Sequence, residues 1–292
     1  MATGVAWAGG VLDALRGVRW PARRRVAAGV IGAHRSRRLG AGAEFIEYRP
    51  YRQGDDARRI DWKLLARSDR AYVRLSEDQA MIPTTILADA SASMAYPVDS
   101  MAKWNLARSL AIGLASVTHN AGDPAGITVA DGERVVSDVR ATTRRGIIPI
   151  LAESLAGVTP GATPGVARNA AGQRPLASIA TRGRIVIIGD FLDWADALVR
   201  ARGARHNGAE VYAVHVVARE ELDPPAEALL VSDPENAQVR RPLIAETRRE
   251  YLEAFGAWRD ALRREWVAAG AVYTIVSTDE PADRAVRRIV RS

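Results

Sequence analysis

Short apolar runs alternate with longer amphipathic segments from residue 82 onward, and this alternation restricts the fold more than any other feature. The apolar runs are IPTTILAD, AGITVAD, GRIVIIGD, AEVYAVHVV and AVYTIVS. Segments with helical periodicity cover residues 101–120, 144–157, 194–206, 245–269 and 282–291. Strands that are separated by helices form a parallel sheet with helices on both faces. The sequence therefore predicts a doubly wound, mostly parallel α/β fold.

One pair of β runs is expected to break the parallel order. The sequence AGITVADGERVVSDV places Asp131-Gly132 between two such runs. This dipeptide favours the tight hairpin turns that require positive φ. We expect one antiparallel hairpin at an edge of the sheet.

The composition excludes several classes of protein. Of 292 residues, 48% are hydrophobic and 26% are charged, which is typical of soluble globular chains. The absence of cysteine rules out disulfides and thiolate metal sites. No apolar run reaches the roughly 18–20 residues of a transmembrane segment, and the N-terminus makes a poor signal peptide. We expect a cytoplasmic protein, with peripheral contact at the inner membrane as the alternative.

The formal charge of +7 resides in the first 40 residues. This segment contains eight arginines and one acid, Asp13, whereas the rest of the chain has equal numbers of basic and acidic side chains. We predict a basic N-terminal extension over residues 1–39. It is either a solvated, partly helical segment or a contact for an anionic surface, because Coulomb attraction does not distinguish between anionic partners. No recognition motif accompanies it, so nucleic acid is not the expected partner.

Carboxyl and hydroxyl side chains follow the first strand of the α/β part, in the sequence DASAS. Asp89 ends the strand, and Ser91 and Ser93 come two and four residues later. Alternate positions of an extended backbone face the same way, so these oxygens can converge. Such ligands suit Mg²⁺, and the small set leaves a coordination position open for an incoming carboxylate. The alternative is that these residues cap the next helix.

Two later groups can complete such a site. Asp190 ends the strand GRIVIIGD, and Thr163 lies in the loop GATPG, with Thr159 as its alternative. The carboxyl ends of parallel strands meet at one edge of a sheet, where ligands of α/β proteins bind. The predicted metal site comprises Asp89, Ser91, Ser93, Thr163 and Asp190.

These loops resemble the metal-ion-dependent adhesion site (MIDAS) of the von Willebrand factor A domain. DASAS matches the first loop of that family, GAT at 161–163 is similar to its threonine loop, and IIGDF is similar to its third loop. Phe191 stands where that family usually has glycine. The resemblance implies that Ser91, Ser93 and Thr163 bind Mg²⁺ or Mn²⁺ directly, while Asp89 and Asp190 act largely through water.

A second resemblance covers the segment before the α/β part. GAGAEFIEYRPYRQGDDARRIDWKLLARSDRAYVR is similar to the signature of a bacterial family, the domain of unknown function family 58. SDPENAQ at 232–238, which contains Asp233–Glu235, resembles the acidic turn of that family. The implied organisation is a basic extension at 1–39, a signature segment at 40–80 packed on the main domain, and a von Willebrand factor A-like domain at 81–292. The resemblance implies that a MoxR-type AAA+ ATPase and an unknown client protein are partners.

The signature segment has a structural and a docking interpretation. Its distinctive residues are Arg49, Tyr51, Gly54, Asp55, Asp56, Arg58, Asp61 and Trp62. In the structural interpretation, Asp55 or Asp56 caps a helix over 57–67, Arg58 pairs with Asp61, and Trp62 anchors the segment to the sheet. In the docking interpretation, the same residues contact a partner.

We do not expect an enzyme. A haloacid-dehalogenase-type phosphotransferase has a second acid two residues after its nucleophile, where this chain has Ser91. Neither a Gly-x-Ser-x-Gly elbow nor a Walker phosphate loop is present, and the four histidines lack ligand spacing. The expected function is metal-dependent protein binding as an adaptor, in complex assembly, cofactor insertion or envelope maintenance. The alternative is a Mg²⁺-dependent phosphoryl-transfer or hydrolytic enzyme that uses Asp89.

Overall fold

The computed structural model describes most of the chain. The described residues are 6–23, 31–40, 44–52, 60–131, 134–161, 183–193, 195–225, 230–232, 240–242 and 244–292. Five residues singled out in the sequence lie outside these ranges, as does the acidic turn at 233–235. They are Gly54, Asp55, Asp56, Arg58 and Thr163.

The helices and strands follow the predicted alternation after residue 82. The helices are α1 Ala6–Ala14, α2 Trp62–Ser68, α3 Ala102–Asn120, α4 Ile147–Ala156, α5 Ala195–His206, α6 Arg219–Leu222, α7 Ala245–Ala268 and α8 Ala282–Arg291. The strands are β1 Ile31–Gly40, β2 Glu44–Pro50, β3 Tyr72–Ala80, β4 Thr84–Asp89, β5 Ala125–Asp131, β6 Arg134–Thr142, β7 Arg184–Gly189, β8 Glu210–Val217, β9 Leu230–Ser232, β10 Arg240–Pro242 and β11 Val272–Ser277. Among the described residues, no helix has both the length and the apolar character that crossing a bilayer requires.

The chain divides into two compact units. The larger unit takes its residues from 1–20, 83–120 and 124–292, and the smaller unit from 21–82 and 121–123. This division differs from the predicted boundaries after residues 39 and 80. The described part of the N-terminal extension is shared between the units, because α1 belongs to the larger one and β1 to the smaller one.

A six-stranded sheet in the order β11-β8-β7-β4-β5-β6 forms the centre of the larger unit. Neighbouring strands from β11 to β5 run parallel, and β6 pairs antiparallel with β5 at the edge. The prediction of a mostly parallel sheet with one antiparallel edge hairpin is therefore confirmed. The chain leaves β4 toward β5 on one side and later returns to place β7 on the other side. This reversal lies at the carboxyl end of β4, where a ligand crevice is expected.

Helices cover both faces of this sheet. Alternate residues of a strand face opposite ways, so Ile86 packs into a core with α1, α3, α4 and α8, whereas Leu87 packs into a core with α5 and α7. The first core includes Trp104 of α3 and the second includes Trp266 of α7. The doubly wound arrangement follows from this alternation. A short antiparallel pair, β9 and β10, stands apart from the main sheet.

The segment around α1 is part of the folded core. Trp20 is 1% exposed, and its ring meets Tyr212 of β8 at 5.0 Å in an edge-on contact. The guanidinium of Arg184 lies 4.0 Å above the centre of the same ring. The expectation of a solvated extension is therefore wrong for residues 6–20, because their apolar side chains pack against the main domain.

In the smaller unit, β3 lies between β1 and β2, and all pairings are antiparallel. The predicted helix start at residue 57 is wrong, because Ile60 forms an extended bridge with Val73 and α2 begins at Trp62. The carboxylate of Asp61 caps this helix by accepting hydrogen bonds from the backbone N–H groups of Lys63 and Leu64, each at 3.0 Å.

The other described signature residues have largely exposed positions. Trp62 is 62% exposed and so does not provide the expected anchor. Tyr51 is also exposed, and a guanidinium nitrogen of Arg49 donates to the Pro50 carbonyl at 3.4 Å. The hydroxyl of Tyr48 donates to Asp61 Oδ2 at 2.8 Å. This contact holds the cap of α2 against β2.

Candidate metal centre

The DASAS loop turns sharply where β4 ends. The backbone N–H of Ser91 donates to Asp89 Oδ1 at 2.9 Å, and a short 3-10 turn then covers Ala92–Ala95. The hydroxyl oxygens of Ser91 and Ser93 lie 3.1 Å apart. The capping alternative is not supported, because the Ser91 side chain makes no cap hydrogen bond and α3 begins only at Ala102. The hydroxyls are thus presented together beside the Asp89 carboxylate.

The end of β7 brings Asp190 to the same place. A Cβ atom added at Gly189 would lie 2.8 Å from the Cβ of Asp89, so this position has room only for glycine. Asp190 follows directly, and its carboxylate is hydrogen-bonded to the Ser93 side chain and to the backbone N–H of Leu192. The predicted residues Asp89, Ser91, Ser93 and Asp190 therefore come together at one edge of the sheet.

The second loop reaches the first loop through Gly161. Its backbone N–H donates to the Ala90 carbonyl at 3.0 Å, and a Cβ added there would lie 2.8 Å from the Cα of Ala92. Thr163, two residues further on, lies outside the described residues, so its role as a ligand stays a prediction. Its alternative, Thr159, is exposed.

Lys103 and Glu221 belong to this site although the sequence interpretation did not include them. Lys103 is 1% exposed, and its ammonium donates to Asp190 Oδ2 at 2.8 Å and to Glu221 Oε1 at 3.1 Å. The other oxygen of Glu221 accepts the backbone N–H of Ala218 at 2.6 Å. The sequence contains one sign that Lys103 is unusual, because the chain has only two lysines, Lys63 and Lys103.

The two aspartates have opposite electrostatic environments. Burial, followed by the negative charge of Asp190, raises the pKa of Asp89 to about 7. Burial alone would also raise the pKa of Asp190, but the Lys103 ammonium holds it below its ordinary value. The two carboxylates in turn hold the pKa of Lys103 above its ordinary value despite its burial. The ammonium therefore compensates Asp190 directly, and Asp89 is left with a charge that the fold disfavours.

Phe191 and His215 pack beneath the site. Phe191 has a φ of +56°, a left-handed conformation that favours glycine, and its ring contacts Trp266 and His215 at 5.2 and 5.7 Å. Burial lowers the pKa of His215 to about 3, so its imidazole is neutral, and its Nδ1 lies 2.5 Å from the Tyr273 hydroxyl. The ring contacts of Phe191 therefore hold the loop after β7 against the core.

The oxygen donors fit a small divalent cation. Two ligands on adjacent corners of an octahedral Mg²⁺ shell are about 2.9 Å apart, and the two serine hydroxyls are separated by 3.1 Å. With Asp89 ionised, three carboxylates and one ammonium leave two negative charges, which a divalent cation would balance. Among the described residues, no group of three or more histidine, cysteine or acidic side chains is arranged to hold a metal. A cation here would rely on hydroxyls.

A comparison with protein-family profiles shows which family the chain belongs to. The profile of the family described as "Protein of unknown function DUF58" matches residues 47–261. The chain belongs to this family. DUF58 membership agrees with the signature seen in the sequence, and the matched residues include part of the smaller unit and most of the larger one.

Curated relatives of this DUF58 protein come from mycobacteria. Uncharacterized proteins of Mycobacterium tuberculosis and Mycobacterium bovis are each 29% identical to it over 276 residues, which is 91% of this chain and 84% of theirs. These names assign no activity.

Two solved structures are among those similar to this chain. One is BatB from Bacteroides thetaiotaomicron, with 16% identity and a TM-score of 0.45. The other is an aerotolerance-related membrane protein from Bacteroides fragilis, with 18% identity and a TM-score of 0.46. Each comparison covers 72% of this chain and 97% of the other. At these scores the likenesses carry no conclusion about ligands or partners.

Proposed function

We propose that this DUF58 protein is a non-enzymatic adaptor with a von Willebrand factor A-like main domain. Its site would hold Mg²⁺ or Mn²⁺ through Ser91, Ser93 and Thr163, with Asp89 and Asp190 nearby. The cation would supply a Lewis-acidic position for a carboxylate from a partner protein. The residues of this chain position that ion and leave one of its coordination positions open.

The observation that carries this proposal is the convergence of the Ser91 and Ser93 hydroxyls beside the half-buried carboxylate of Asp89. The hydroxyls are 3.1 Å apart, and Asp89 is placed where its negative charge is costly without a cation. Strained or electrostatically costly groups of this kind concentrate at binding sites, because stability is lost there for function. A purely structural turn would not need a partly buried carboxylate whose charge is disfavoured.

The proposed partner is a MoxR-type AAA+ ATPase, as the resemblance of residues 40–80 implies. The adaptor would link the ATPase to a client protein during assembly, cofactor insertion or envelope maintenance. We place it in the cytoplasm, with peripheral contact at the inner membrane as the alternative. The exposure of Trp62 supports a docking role for the signature segment, since large aromatic side chains are enriched at interfaces.

A capture experiment tests the metal-dependent interaction. The purified protein would be immobilised and incubated with the MoxR-type ATPase of the same organism, in Mg²⁺ or in EDTA. We expect capture in Mg²⁺, and loss of it in EDTA and in Ser91→Ala. The matched control is Ser154→Ala, because the Ser154 hydroxyl bonds only the Leu151 carbonyl of its own helix among the described contacts. Equal capture in EDTA and in both variants would contradict metal dependence.

The second candidate function is a metal-dependent phosphoryl-transfer or hydrolytic enzyme that uses Asp89. The observation in its favour is the pair of carboxylates, Asp89 and Asp190, that the ends of β4 and β7 bring together, and the raised pKa of Asp89 suits proton transfer at neutral pH. Turnover of a generic phosphoester that requires Mg²⁺ and disappears in Asp89→Asn would support it. Absence of turnover at high protein concentration would leave the adaptor.

A further inference from the structure

Lys103 gives the candidate site a charge that its oxygen ligands do not require. The chain has two lysines, and arginine supplies all its other permanently cationic side chains. Lys63 lies exposed on α2, whereas Lys103 is buried where α3 begins. A buried ammonium is retained only where it is paired, because removing a charge from water is costly. Its position therefore calls for a reason tied to the site.

The contacts of Lys103 explain why the side chain is lysine. Its ammonium bridges Asp190 of the β7 loop and Glu221 of α6, at 2.8 and 3.1 Å. A compact ammonium can donate to two carboxylates that approach from different directions, whereas the planar arginine fork requires a broader, bidentate geometry. Lys103 thus fixes the Asp190 carboxylate and compensates its charge.

The charge of the Lys103 ammonium weakens the electrostatic attraction of the site for a divalent cation. An ammonium next to Asp190 cancels much of the attraction that Asp190 would exert on a divalent cation, and it repels that cation directly. Asp190 and Glu221 each form an ion pair with Lys103. Asp89 is the remaining carboxylate among the described residues of the site, and no cationic side chain forms a direct ion pair with it.

We propose that Lys103 is a positioning residue that lowers the affinity of this site for a divalent cation. It holds Asp190 in place as a neutralised group, so the ion rests mainly on Asp89 and the serine hydroxyls. The inference rests on the proposed function and concerns how strongly the free protein holds its cation. If the free protein binds the cation only weakly, an anionic group from a partner would be needed to complete the coordination of the ion.

Cation titration of charge variants tests this inference. Mn²⁺ binding would be measured by calorimetry for the wild type, Lys103→Met and Glu221→Gln, with Lys63→Met as the matched control. We expect Lys103→Met to bind Mn²⁺ at least about tenfold more tightly, since a repelling charge at short range is removed. Glu221→Gln should bind it more weakly, because a compensating negative charge is lost, and Lys63→Met should match the wild type.

The opposite signs of the two effects exclude simple structural damage. Loss of packing or local unfolding would weaken Mn²⁺ binding in both site variants. Weaker or unchanged binding in a folded Lys103→Met variant would overturn the inference.

A measurement on the wild type covers the case in which Lys103→Met does not fold. Selective ¹⁵N labelling of lysine gives two side-chain ammonium signals, and Lys63 serves as the internal control. We expect the Lys103 signal to shift and saturate with added Mg²⁺ while the Lys63 signal stays in place. A Lys103 signal that does not respond while calorimetry shows Mg²⁺ binding would overturn the inference.

The outcomes separate this inference from the proposed function. Cation binding by the wild type without tightening in Lys103→Met preserves the function and removes the role of Lys103. Binding only in Lys103→Met supports the role of Lys103, and the proposed function then requires that capture of the partner by the wild type still depends on Mg²⁺. Binding in neither protein removes both.

Discussion

Asp89 is the residue at which the fold and the proposed function conflict most directly. Its carboxyl is partly buried close to Asp190, and desolvation together with that negative charge raises its pKa to about 7 from an ordinary value of 3.8. The native state therefore retains a proton that the unfolded chain releases between these pH values. Stability contributed by this group is present below pH 4 and is lost as the pH rises toward 7.

Replacing Asp89 by asparagine should remove this loss. Without divalent cations, we expect Asp89→Asn to be more stable than the wild type at pH 8, by up to about 4 kcal/mol, with a much smaller difference at pH 4. Urea unfolding at both pH values measures the effect. Asp99→Asn is the control, because Asp99 is exposed in the neighbouring loop. A variant less stable than the wild type at pH 8 would contradict the assignment.

Phe191 illustrates a second compromise at the residue scale. Its left-handed backbone disfavours any side chain, yet its ring is buried against Trp266. Packing outweighs the backbone strain, since a buried phenylalanine contributes about 3–5 kcal/mol and the strain costs about 1–2 kcal/mol.

The backbone conformation predicts an unusual order of variants at this position. Both Phe191→Ala and Phe191→Gly lose the ring, but we expect the glycine variant to be more stable by about 1 kcal/mol, because it relieves the strain. At Leu198, buried in α5, glycine should instead be worse than alanine by a similar amount. Thermal or urea unfolding of the four variants checks this reversal, and the same order at both positions would refute it.

At the scale of elements, periodicity predicted the larger unit well. The strands β4 to β8 and β11, and the helices that separate them, follow from alternation of period 2 and period 3.6 in the sequence. The convergence of Asp89 and Asp190 also followed, because the carboxyl ends of parallel strands meet at one edge. Lys103 was not predictable in this way, since its burial depends on two carboxylates that come from distant parts of the chain.

The start of α2 shows how a local rule selects the wrong residue. The sequence GDDARRIDW offers several aspartates as helix caps, and propensity alone does not choose between them. Ile60 is held extended by its bridge to Val73 of β3, so the helix cannot begin before the next acid. A long-range strand contact therefore selects Asp61 as the cap.

This assignment predicts that α2 depends on Asp61. We expect Asp61→Ala to destabilise α2 by about 1 kcal/mol, because two backbone N–H groups lose their acceptor. Amide hydrogen exchange at Lys63, Leu64 and Leu65 should accelerate. Asp61→Asn, which retains a cap oxygen, should be close to the wild type. Unchanged exchange in the alanine variant would show that another residue caps the helix.

At the scale of the whole molecule, Lys103 reports on how the larger unit opens, and Lys63 of the smaller unit is the exposed reference. Lys63 is exposed, whereas the Lys103 ammonium becomes accessible only when the core around α3 opens. Reductive methylation of the folded protein should therefore modify Lys63 while leaving Lys103 unmodified. In urea, both lysines should react. Peptide mass spectrometry measures the two sites, and equal rates in the folded protein would contradict the burial of Lys103.

The close approach at Gly189 has a consequence for any redesign of this protein. Since only a hydrogen atom fits between the ends of β4 and β7, the interstrand hydrogen-bond ladder fixes the separation of Asp89, which ends β4, and Asp190, which follows β7. Exchanging the serines or shortening the loops would leave that crowding of anions unchanged. The separation of these two side chains is therefore as durable as the sheet, whereas their charge can be changed by a single substitution such as Asp89→Asn.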